Sequence, residues 1–495
     1  MSENRKILSD SIFLTVGNYL MKLKGLIFMP VIISSVGLAN YGIFVQIFVN
    51  LSMISPFCTL ALGESFKRFT SKYAADDTTA LSNDFWTVII PSFLMASIGA
   101  TVLFFASPII CEFLFKSITD DVLWATRISS VMIIERVLWE QLNKYLLARK
   151  KFKQNTVLTL LNAFVPYLGL VAGFVFYESL TYAVSFFLML EAMFMVFLFI
   201  KVAKGLSFQI PRLATFKKFL NYSWALIFTQ FESGILAKVD RYFISYFLGP
   251  AAVGIYNVIY SVVSFLDDLS LPFRRYYASY LPAIWDSGET DKALNQVRLG
   301  IRYYFVIAWL GLVALTMALE PLLTLVLKKE SPNLEHFEWI VFITGVGIIA
   351  EGGIRLFYQV INMQKRNAYQ VVFQFLAVLV NVGLNFVLVP KWGLFGAGFA
   401  TFVSYVFILL ITAKYFSIGA DARYFFQLGL VMIISVLGAG IASHFPAKNM
   451  LVAIIEVGLF ALIYLGIVLG MKMVNVAELK ALTVKAPKPS RISNQ

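Results

Sequence analysis

The chain contains few charged residues and almost no cysteine or histidine. Charged residues make up 14% of its 495 residues, whereas soluble chains carry roughly a quarter. The two cysteines, Cys58 and Cys111, lie in or beside apolar stretches, so no disulfide framework or cysteine metal site is indicated. The two histidines, His336 and His444, lie near predicted outer loops. We therefore expect no metal and no other cofactor.

Signatures of enzymes are also missing. The chain has no GxxxxGK[ST] loop, which argues against nucleotide hydrolysis by a P-loop. No predicted outer segment exceeds about 20 residues, and the first of them, 35–40, contains no acid. A sugar transferase embedded in the membrane would need a catalytic acid on that side. We therefore predict that the protein is not an enzyme.

Long apolar runs fill most of the chain. Hydrophobic residues make up 59% of the sequence, and runs of about 20 apolar residues are long enough to cross a bilayer core. The N-terminal run lacks a small-residue cleavage site, which favours a retained helix over a removed signal peptide. The predicted fold class is an all-α integral membrane protein with about fourteen transmembrane helices. The predicted spans are 10–34, 40–64, 84–106, 122–146, 155–177, 181–201, 219–247, 252–273, 298–320, 337–362, 369–390, 393–414, 424–443 and 450–471.

The net charge of +13 is distributed by topology. Basic residues concentrate in alternate loops, as in Arg149, Lys150, Lys151 and Lys153, while the intervening loops hold very few. The positive-inside rule then places both termini in the cytoplasm. Because the positive charge does not gather on one soluble face, we expect no nucleic-acid partner.

A short phrase occurs twice, at Val36–Phe44 and at Leu248–Tyr256. In each copy two glycines precede an isoleucine and an aromatic residue. Both copies lie at predicted outer junctions with six spans between them, so two six-helix lobes are predicted to be parallel repeats. The glycines themselves are predicted only to make tight turns. The predicted divisions are a first lobe at 1–204, a cytoplasmic linker at 205–218, a second lobe at 219–415, two further helices at 416–474 and a cytoplasmic tail at 475–495.

Several charged residues remain inside or beside the predicted spans. An unpaired charge at membrane depth costs at least about 2.5 kcal/mol, so each should face protein or a water-filled cavity. Cations there suit an anionic substrate such as a phosphate or diphosphate, and acids suit the binding or relay of a coupling ion. The candidate substrate-binding cations are Lys22, Lys24, Arg68, Arg136, Lys238, Arg241 and Arg355. The candidate ion-coupling acids are Glu232, Asp240, Asp267, Asp268 and Glu351.

Salt bridges that lock the helices together are the alternative interpretation of these charges. Asp240 and Arg241, near the end of the seventh span, have the further alternative of an interfacial position. Lys22 and Lys24 differ, because the one acid of the same span, Asp10, is its first residue and lies far from them along the helix. Two residues apart on a helix, they point in nearly opposite directions, so at most one faces a central pore. The salt-bridge alternative is weighed in particular for Glu135 and Arg136, which would bridge to other helices, and for Glu351 and Arg355, which are spaced i,i+4 on one helix.

Three segments resemble those of a known family. They are SSVGLANYGIFVQIFVNLSMISPFCTLALGESFKRF at 34–69, VDRYFISYFLGPAAVGIYNVIYSVV at 239–263 and KWGLFGAGFATFVSYVF at 391–407. On these residues the chain resembles the polysaccharide (O-antigen, Wzx-type) flippases of the multidrug/oligosaccharidyl-lipid/polysaccharide (MOP) exporter superfamily. The resemblance covers most of residues 10–415, and its motifs indicate the superfamily better than the substrate.

The resemblance implies two six-helix lobes around a cationic central cavity, with walls formed by spans one, two, seven and eight. It implies a flippase that moves an undecaprenyl-diphosphate-linked oligosaccharide across the bacterial cytoplasmic (inner) membrane by alternating access. The oligosaccharide would be a repeat unit of O-antigen in lipopolysaccharide, of capsule or of exopolysaccharide. The implied partners are this lipid-linked substrate, membrane lipids, H⁺ or Na⁺, and polysaccharide polymerase or assembly proteins.

Three alternatives remain open at this point. The first is a lipid II flippase, although Lys22 and Lys24 stand where that family has many arginines in its first two spans. The second is a cation-coupled exporter of drugs or small solutes on the same architecture. The third is a scaffold of envelope assembly that transports nothing.

Overall fold

The computed structural model describes residues 3–70, 78–116, 118–327, 337–416, 418–444, 447 and 449–474. His336 and the predicted tail at 475–495 lie outside these described residues. Within the described part, α3 continues as a π-helical segment at Cys111–Phe115 and no strand is present. The α-helices are α1 (Glu3–Thr59), α2 (Leu62–Thr70), α3 (Thr78–Ile110), α4 (Asp120–Ala148), α5 (Phe152–Tyr177), α6 (Leu180–Ala203), α7 (Leu213–Leu248), α8 (Pro250–Val263), α9 (Phe265–Asp268), α10 (Leu271–Asp286), α11 (Thr290–Met317), α12 (Leu319–Leu327), α13 (Phe337–Met363), α14 (Ala368–Tyr415), α15 (Ala422–His444) and α16 (Met450–Gly470).

The prediction of an all-α membrane protein is confirmed. Ten helices in the described part of the chain are long and apolar enough to cross a membrane. Two of them are 40 and 48 residues long, and each is broken by a glycine, at Gly37 in α1 and at Gly393 in α14. The charge-bearing helices α4 and α7 are 29 and 36 residues long. Each predicted span therefore overlaps a helix or one arm of a broken helix.

The second predicted span ends earlier than expected. α1 stops at Thr59, because Leu60 and Ala61 adopt left-handed φ angles of 49° and 47°. The amphipathic helix α2 follows, and it carries Arg68 on an exposed position. A non-glycine residue with positive φ cannot continue an α-helix. The predicted first outer junction at 35–40 is a helix break at Gly37, with helical residues on both sides of it.

The eighth predicted span is not one continuous helix. α8 ends at Val263, and Asp267 and Asp268 lie on the single turn that forms α9. Pro272 occupies the start of α10, where its missing N–H costs no hydrogen bond. These two acids therefore lie at a break between helices and not in the middle of a regular span.

The two copies of the repeated phrase have the same backbone geometry. Gly37 has φ 80° and ψ 167°, and its counterpart Gly249 has φ 90° and ψ 173°. An L-residue with a side chain rarely adopts this conformation, so each glycine supplies a helix break that other residues would resist. The prediction that these glycines make turns is confirmed for the first glycine of each copy.

The second glycine of each copy has a different role. A Cβ at Gly42 would overlap the carbonyl oxygen of Pro250, and one at Gly254 would lie 2.7 Å from the carbonyl oxygen of Leu38. The two copies therefore pack directly against each other, backbone to backbone. Nearby, Asn257 Nδ2 donates a hydrogen bond of 2.8 Å to the Tyr41 hydroxyl. We call this contact the glycine seam; close approach at small residues is a common way for helices to associate in membranes.

Contacts divide the described chain into two compact units. Unit 1 contains the residues up to Ser261 together with Asn381–Ala397 and the end of α12, and unit 2 contains the remainder. In unit 1 a buried cluster forms where α2, α3, α4 and α7 meet, around Phe66, Phe85 and Phe219. In unit 2 the buried Tyr304 hydroxyl donates to the Ile349 carbonyl oxygen at 3.1 Å, which ties α11 to α13. The predicted lobe boundaries remain a prediction.

The outer faces of the helices are apolar. On α16, for example, Leu451 and Leu462 are 68% and 72% exposed. Exposing such a surface to water is unfavourable, whereas exposing it to lipid tails is not. An α-helix bonds its interior backbone groups along the chain, which is the requirement for a segment inside a bilayer.

Candidate functional site

Unit 1 brings together cations from three helices. Lys24 on α1 lies 4.8 Å from the ring centroid of Tyr167 on α5. Arg136 on α4 and Arg241 on α7 are both near enough to Lys238 to act on it electrostatically. These four residues were all predicted substrate-binding cations, and we call them the unit 1 cation cluster. Like charges at membrane depth repel one another, so this arrangement favours an anionic ligand.

Asp240 and Arg241 form a buried pair within that cluster. Their side chains are 2% and 5% exposed, and Arg241 Nη1 lies 3.0 Å from Asp240 Oδ1. The guanidinium group also stacks 4.5 Å from the ring centroid of Tyr260. The interfacial alternative for this pair concerns depth in the membrane, and it stays an alternative. Asp240, predicted as an ion-coupling acid, is engaged by its neighbouring arginine.

Glu135 contacts another carboxyl group and not the arginine beside it. Glu135 is 3% exposed, and neither of its carboxyl oxygens accepts a hydrogen bond from a donor in the described part of the chain. Its carboxyl group lies close enough to that of Glu191 on α6 for the two to interact electrostatically. The interhelical salt-bridge alternative is therefore wrong for Glu135 within the described residues. Arg136 and Lys24 act on the pair only as nearby charges.

Glu191 was missed by the sequence reasoning. It lies at the centre of the sixth predicted span, flanked by apolar residues, and this is a signal that the sequence offers. Two buried carboxyl groups this close repel one another when both are ionised. We call Glu135 and Glu191 the carboxyl pair.

The predicted cation Arg68 lies outside the cation cluster as we define it. On the exposed face of α2, its guanidinium group stacks 4.7 Å from the ring centroid of Tyr222 on α7. Nearby, Glu64 accepts from Lys144 Nζ at 2.5 Å and from Lys67 Nζ at 2.7 Å. Burial alone would raise the pKa of Glu64, but the two lysines hold that pKa below its usual value.

Unit 2 pairs its predicted acids with cations. Arg355 on α13 contacts Glu351 one turn earlier and places Nε 3.4 Å from Asp267 Oδ1. Arg274 Nη2 on α10 lies 3.5 Å from Asp267 Oδ2. The salt-bridge alternative for Glu351 and Arg355 is confirmed. We call these four residues the unit 2 charge network.

Three predicted site residues remain to be placed. Lys22 is partly exposed on α1. Glu232 on α7 has one buried carboxyl oxygen that accepts no hydrogen bond within the described residues. Asp268 is partly buried beside Asp267 and acts electrostatically on Arg274.

The fold is that of MOP superfamily transporters. A lipid II flippase MurJ in an inward closed conformation matches with a TM-score of 0.69 and 15% identity, over 92% of this chain and 98% of that one. An inward-facing MATE family multidrug resistance transporter matches with a TM-score of 0.65 and 12% identity, over 83% and 96%. A MOP superfamily transporter of Pyrococcus furiosus, described as having a binding pocket of reverse polarity, matches with a TM-score of 0.57 and 13% identity, over 84% and 96%.

The sequence itself shows the family. A family model described as polysaccharide biosynthesis protein matches residues 7–273, which is more than half of the chain. The chain belongs to this family. It is also similar to an uncharacterised membrane protein of Methanocaldococcus jannaschii, with 22% identity over 482 residues, covering 90% of this chain and 92% of the relative. The predicted family resemblance is confirmed by the match to the polysaccharide biosynthesis family, and the fold is one shared with MOP superfamily transporters.

Proposed function

We propose that this protein is a flippase for an undecaprenyl-diphosphate-linked oligosaccharide, the repeat unit of an O-antigen, capsule or exopolysaccharide. It would move this lipid across the bacterial cytoplasmic membrane by alternating access, with both termini in the cytoplasm. Membership of the polysaccharide biosynthesis family and the MOP transporter fold support this proposal. A polysaccharide polymerase or another assembly protein would then use the exported unit.

The observation that carries the proposal is the unit 1 cation cluster. Lys24, Arg136, Lys238 and Arg241 come from α1, α4 and α7; Asp240 pairs with Arg241, and Lys24 and Arg136 also act on the carboxyl pair. A diphosphate carries charge of the opposite sign, which lysine engages as a point charge and arginine as a fork. The polyprenyl tail would remain in lipid, against the apolar outer faces of the helices.

The carboxyl pair supports coupling to a proton gradient. Glu135 and Glu191 would share a proton beside Lys24 and Arg136, which are the charged groups that act on the pair from α1 and α4. Loss of that proton would leave a second negative charge among the cations and so weaken their hold on a diphosphate. Substrate binding and proton binding would in this way affect each other, as linkage requires.

Leaflet transport in reconstituted vesicles tests the proposal. We would measure movement of an undecaprenyl-diphosphate oligosaccharide by purified full-length protein, and by a variant with Arg136→Gln and Lys238→Gln. We expect transport to fall by at least about tenfold, because charge-assisted contacts to the diphosphate are lost. The matched control is Lys201→Gln plus Lys204→Gln, two exposed cations at the end of α6. Equal transport by the two double variants would contradict the role of the cluster.

Coupling is tested separately in the same vesicles. An inward and an outward pH gradient should change the transport rate of the unmodified protein, and the variant Glu135→Gln plus Glu191→Gln should lose that dependence. A matched control is Glu64→Gln, which alters an acid outside the carboxyl pair. A gradient response retained by the pair variant would show that the ion binds elsewhere, for example at Glu232.

The rival substrates are separated by the same assay. Lipid II, the substrate named for the MurJ flippase, should be transported more slowly than the oligosaccharide carrier. A small cationic drug, which suits a multidrug exporter, should not compete, because the cation cluster would repel it. If folded protein in the vesicles transported none of these lipids, the scaffold alternative would be favoured.

A further inference from the structure

Unit 2 contains a cavity that is separate from its charge network. Its volume is about 470 Å³, and it lies where the first turns of α11, the start of α15 and the residue after α16 meet. Four cations line it: Arg298, Arg302, Arg423 and Lys472. The acid in its lining is Asp421. We call this cavity the basic cavity.

Asp421 is already engaged by the protein. Its carboxyl oxygen Oδ1 accepts a hydrogen bond of 2.9 Å from the backbone N–H of Tyr424, in the first turn of α15. A carboxylate in this position satisfies a free N–H group and the positive end of the helix dipole. One carboxylate also balances only one of the four cations, so the lining of the cavity keeps a net positive charge.

Hydrogen bonds hold the walls of the cavity in place. Arg298 Nη1 donates to the Gly419 carbonyl oxygen at 3.0 Å, and the Tyr424 hydroxyl donates to the Arg298 carbonyl oxygen at 3.0 Å. Gln427 Nε2 donates to the Met471 carbonyl oxygen at 3.1 Å. Arg298 Nε is buried and has no hydrogen-bond acceptor within the described part of the chain. A buried donor without an acceptor can donate a hydrogen bond to an acceptor atom of a ligand.

The position of the cavity indicates a lipid and not a soluble anion. α11, α15 and α16 are each long and apolar enough to cross a membrane, and the cavity lies at the ends of α15 and α16. Next to it, Phe425 and Phe426 are 55% and 68% exposed. Aromatic side chains favour the boundary between headgroups and acyl chains. Basic pockets between transmembrane helices at this level suit anionic headgroups.

We infer that the basic cavity binds the phosphate group of an anionic membrane lipid. Arg298, Arg423 and Lys472 supply charge and donors to the phosphate, while the acyl chains run along the apolar face that begins at Phe425 and Phe426. The phosphate has two chemical sources in such a membrane, a resident phospholipid or the polyprenyl-diphosphate carrier. The inference does not depend on which glycan the protein moves.

Binding of defined lipids to the purified full-length protein tests this inference. The probes are phosphatidylglycerol, undecaprenyl diphosphate and inorganic phosphate, with affinity measured by native mass spectrometry or by fluorescence of labelled lipid. The test variant is Arg423→Gln plus Lys472→Gln, because both side chains are exposed and the fold does not rest on them. The matched control is Lys201→Gln plus Lys204→Gln in unit 1.

Each cation near an anionic headgroup strengthens binding about fivefold, so we expect the test variant to lose about 30-fold in affinity. The control should change by less than about twofold. A loss for phosphatidylglycerol identifies a phospholipid as the source, and a loss confined to undecaprenyl diphosphate identifies the carrier. The inference is overturned if neither lipid loses more affinity than in the control, or if inorganic phosphate binds as tightly as the lipids.

Discussion

The interior charges of unit 1 and unit 2 are balanced in different ways. In unit 2, Arg274 and Arg355 contact Asp267 and Glu351, so acids and cations neutralise one another. In unit 1, the described residues form no ion pair of this kind at Lys24, Arg136 or Lys238, and the acids Glu135 and Glu191 lie close to each other instead. Oppositely charged groups in contact neutralise one another, whereas like charges held close together favour the binding of a ligand of opposite charge. We infer from this difference that the interior charges of unit 2 serve stability and those of unit 1 serve binding.

The largest effect on stability is expected at the one buried ion pair of the unit 1 cluster. Arg241→Gln would leave Asp240 as a buried carboxylate without its partner, which costs about 3–5 kcal/mol. The melting temperature of purified protein in detergent measures this loss. The double variant Asp240→Asn plus Arg241→Gln should recover most of it. A double variant as unstable as Arg241→Gln would show that the arginine acts through packing on Tyr260.

The next effect is expected at the glycine seam. A cluster of like charges does not hold the helices of unit 1 together, so we expect close helix packing to do so. Gly42→Ala places a methyl group against the Pro250 carbonyl oxygen, and we expect a loss of about 3 kcal/mol. Gly25→Ala in the same helix is the matched control, because nothing lies within 4 Å of its Cβ position. Equal melting temperatures for the two variants would exclude the seam as a source of cohesion.

A moderate effect is expected in the unit 2 charge network. Arg355→Gln would leave Asp267 and Glu351 close together with less compensation, and we expect a loss of about 2 kcal/mol, since the arginine side chain is 42% exposed. Glu351→Gln in the Arg355→Gln background should be less destabilising than either change alone. Additive losses in this double-mutant cycle would mean that the two side chains do not interact.

The smallest effect on stability is expected at Lys238. Lys238→Gln removes repulsion from Arg136 and Arg241, so stability should stay the same or rise by no more than about 1 kcal/mol. Transport should nevertheless fall, which is the opposite pattern to a structural residue. The comparison between the units would fail if Lys238→Gln destabilised the protein as much as Arg355→Gln.

Most of the fold could be predicted from the sequence. Apolar runs of the right length locate the helices, and the repeated phrase locates two equivalent helix breaks at Gly37 and Gly249. The errors fall where local backbone geometry decides, at Leu60 and Ala61 and at the break around α9. No periodicity in the apolar pattern marks a left-handed residue, so these boundaries needed the structure.

The candidate site divides in the same way. The sequence by itself predicted which charges lie at membrane depth, Glu191 excepted, because position along a helix converts directly into depth at about 1.5 Å per residue. Only the tertiary structure decided which charges meet: Arg355 contacts Asp267 and Glu351, whereas Glu135 faces Glu191 and not its neighbour Arg136. The direction in which a side chain points depends on how each helix is rotated against the others. That rotation is fixed by packing between segments that are distant in the chain, such as those of the glycine seam. The sequence of a single helix does not specify it.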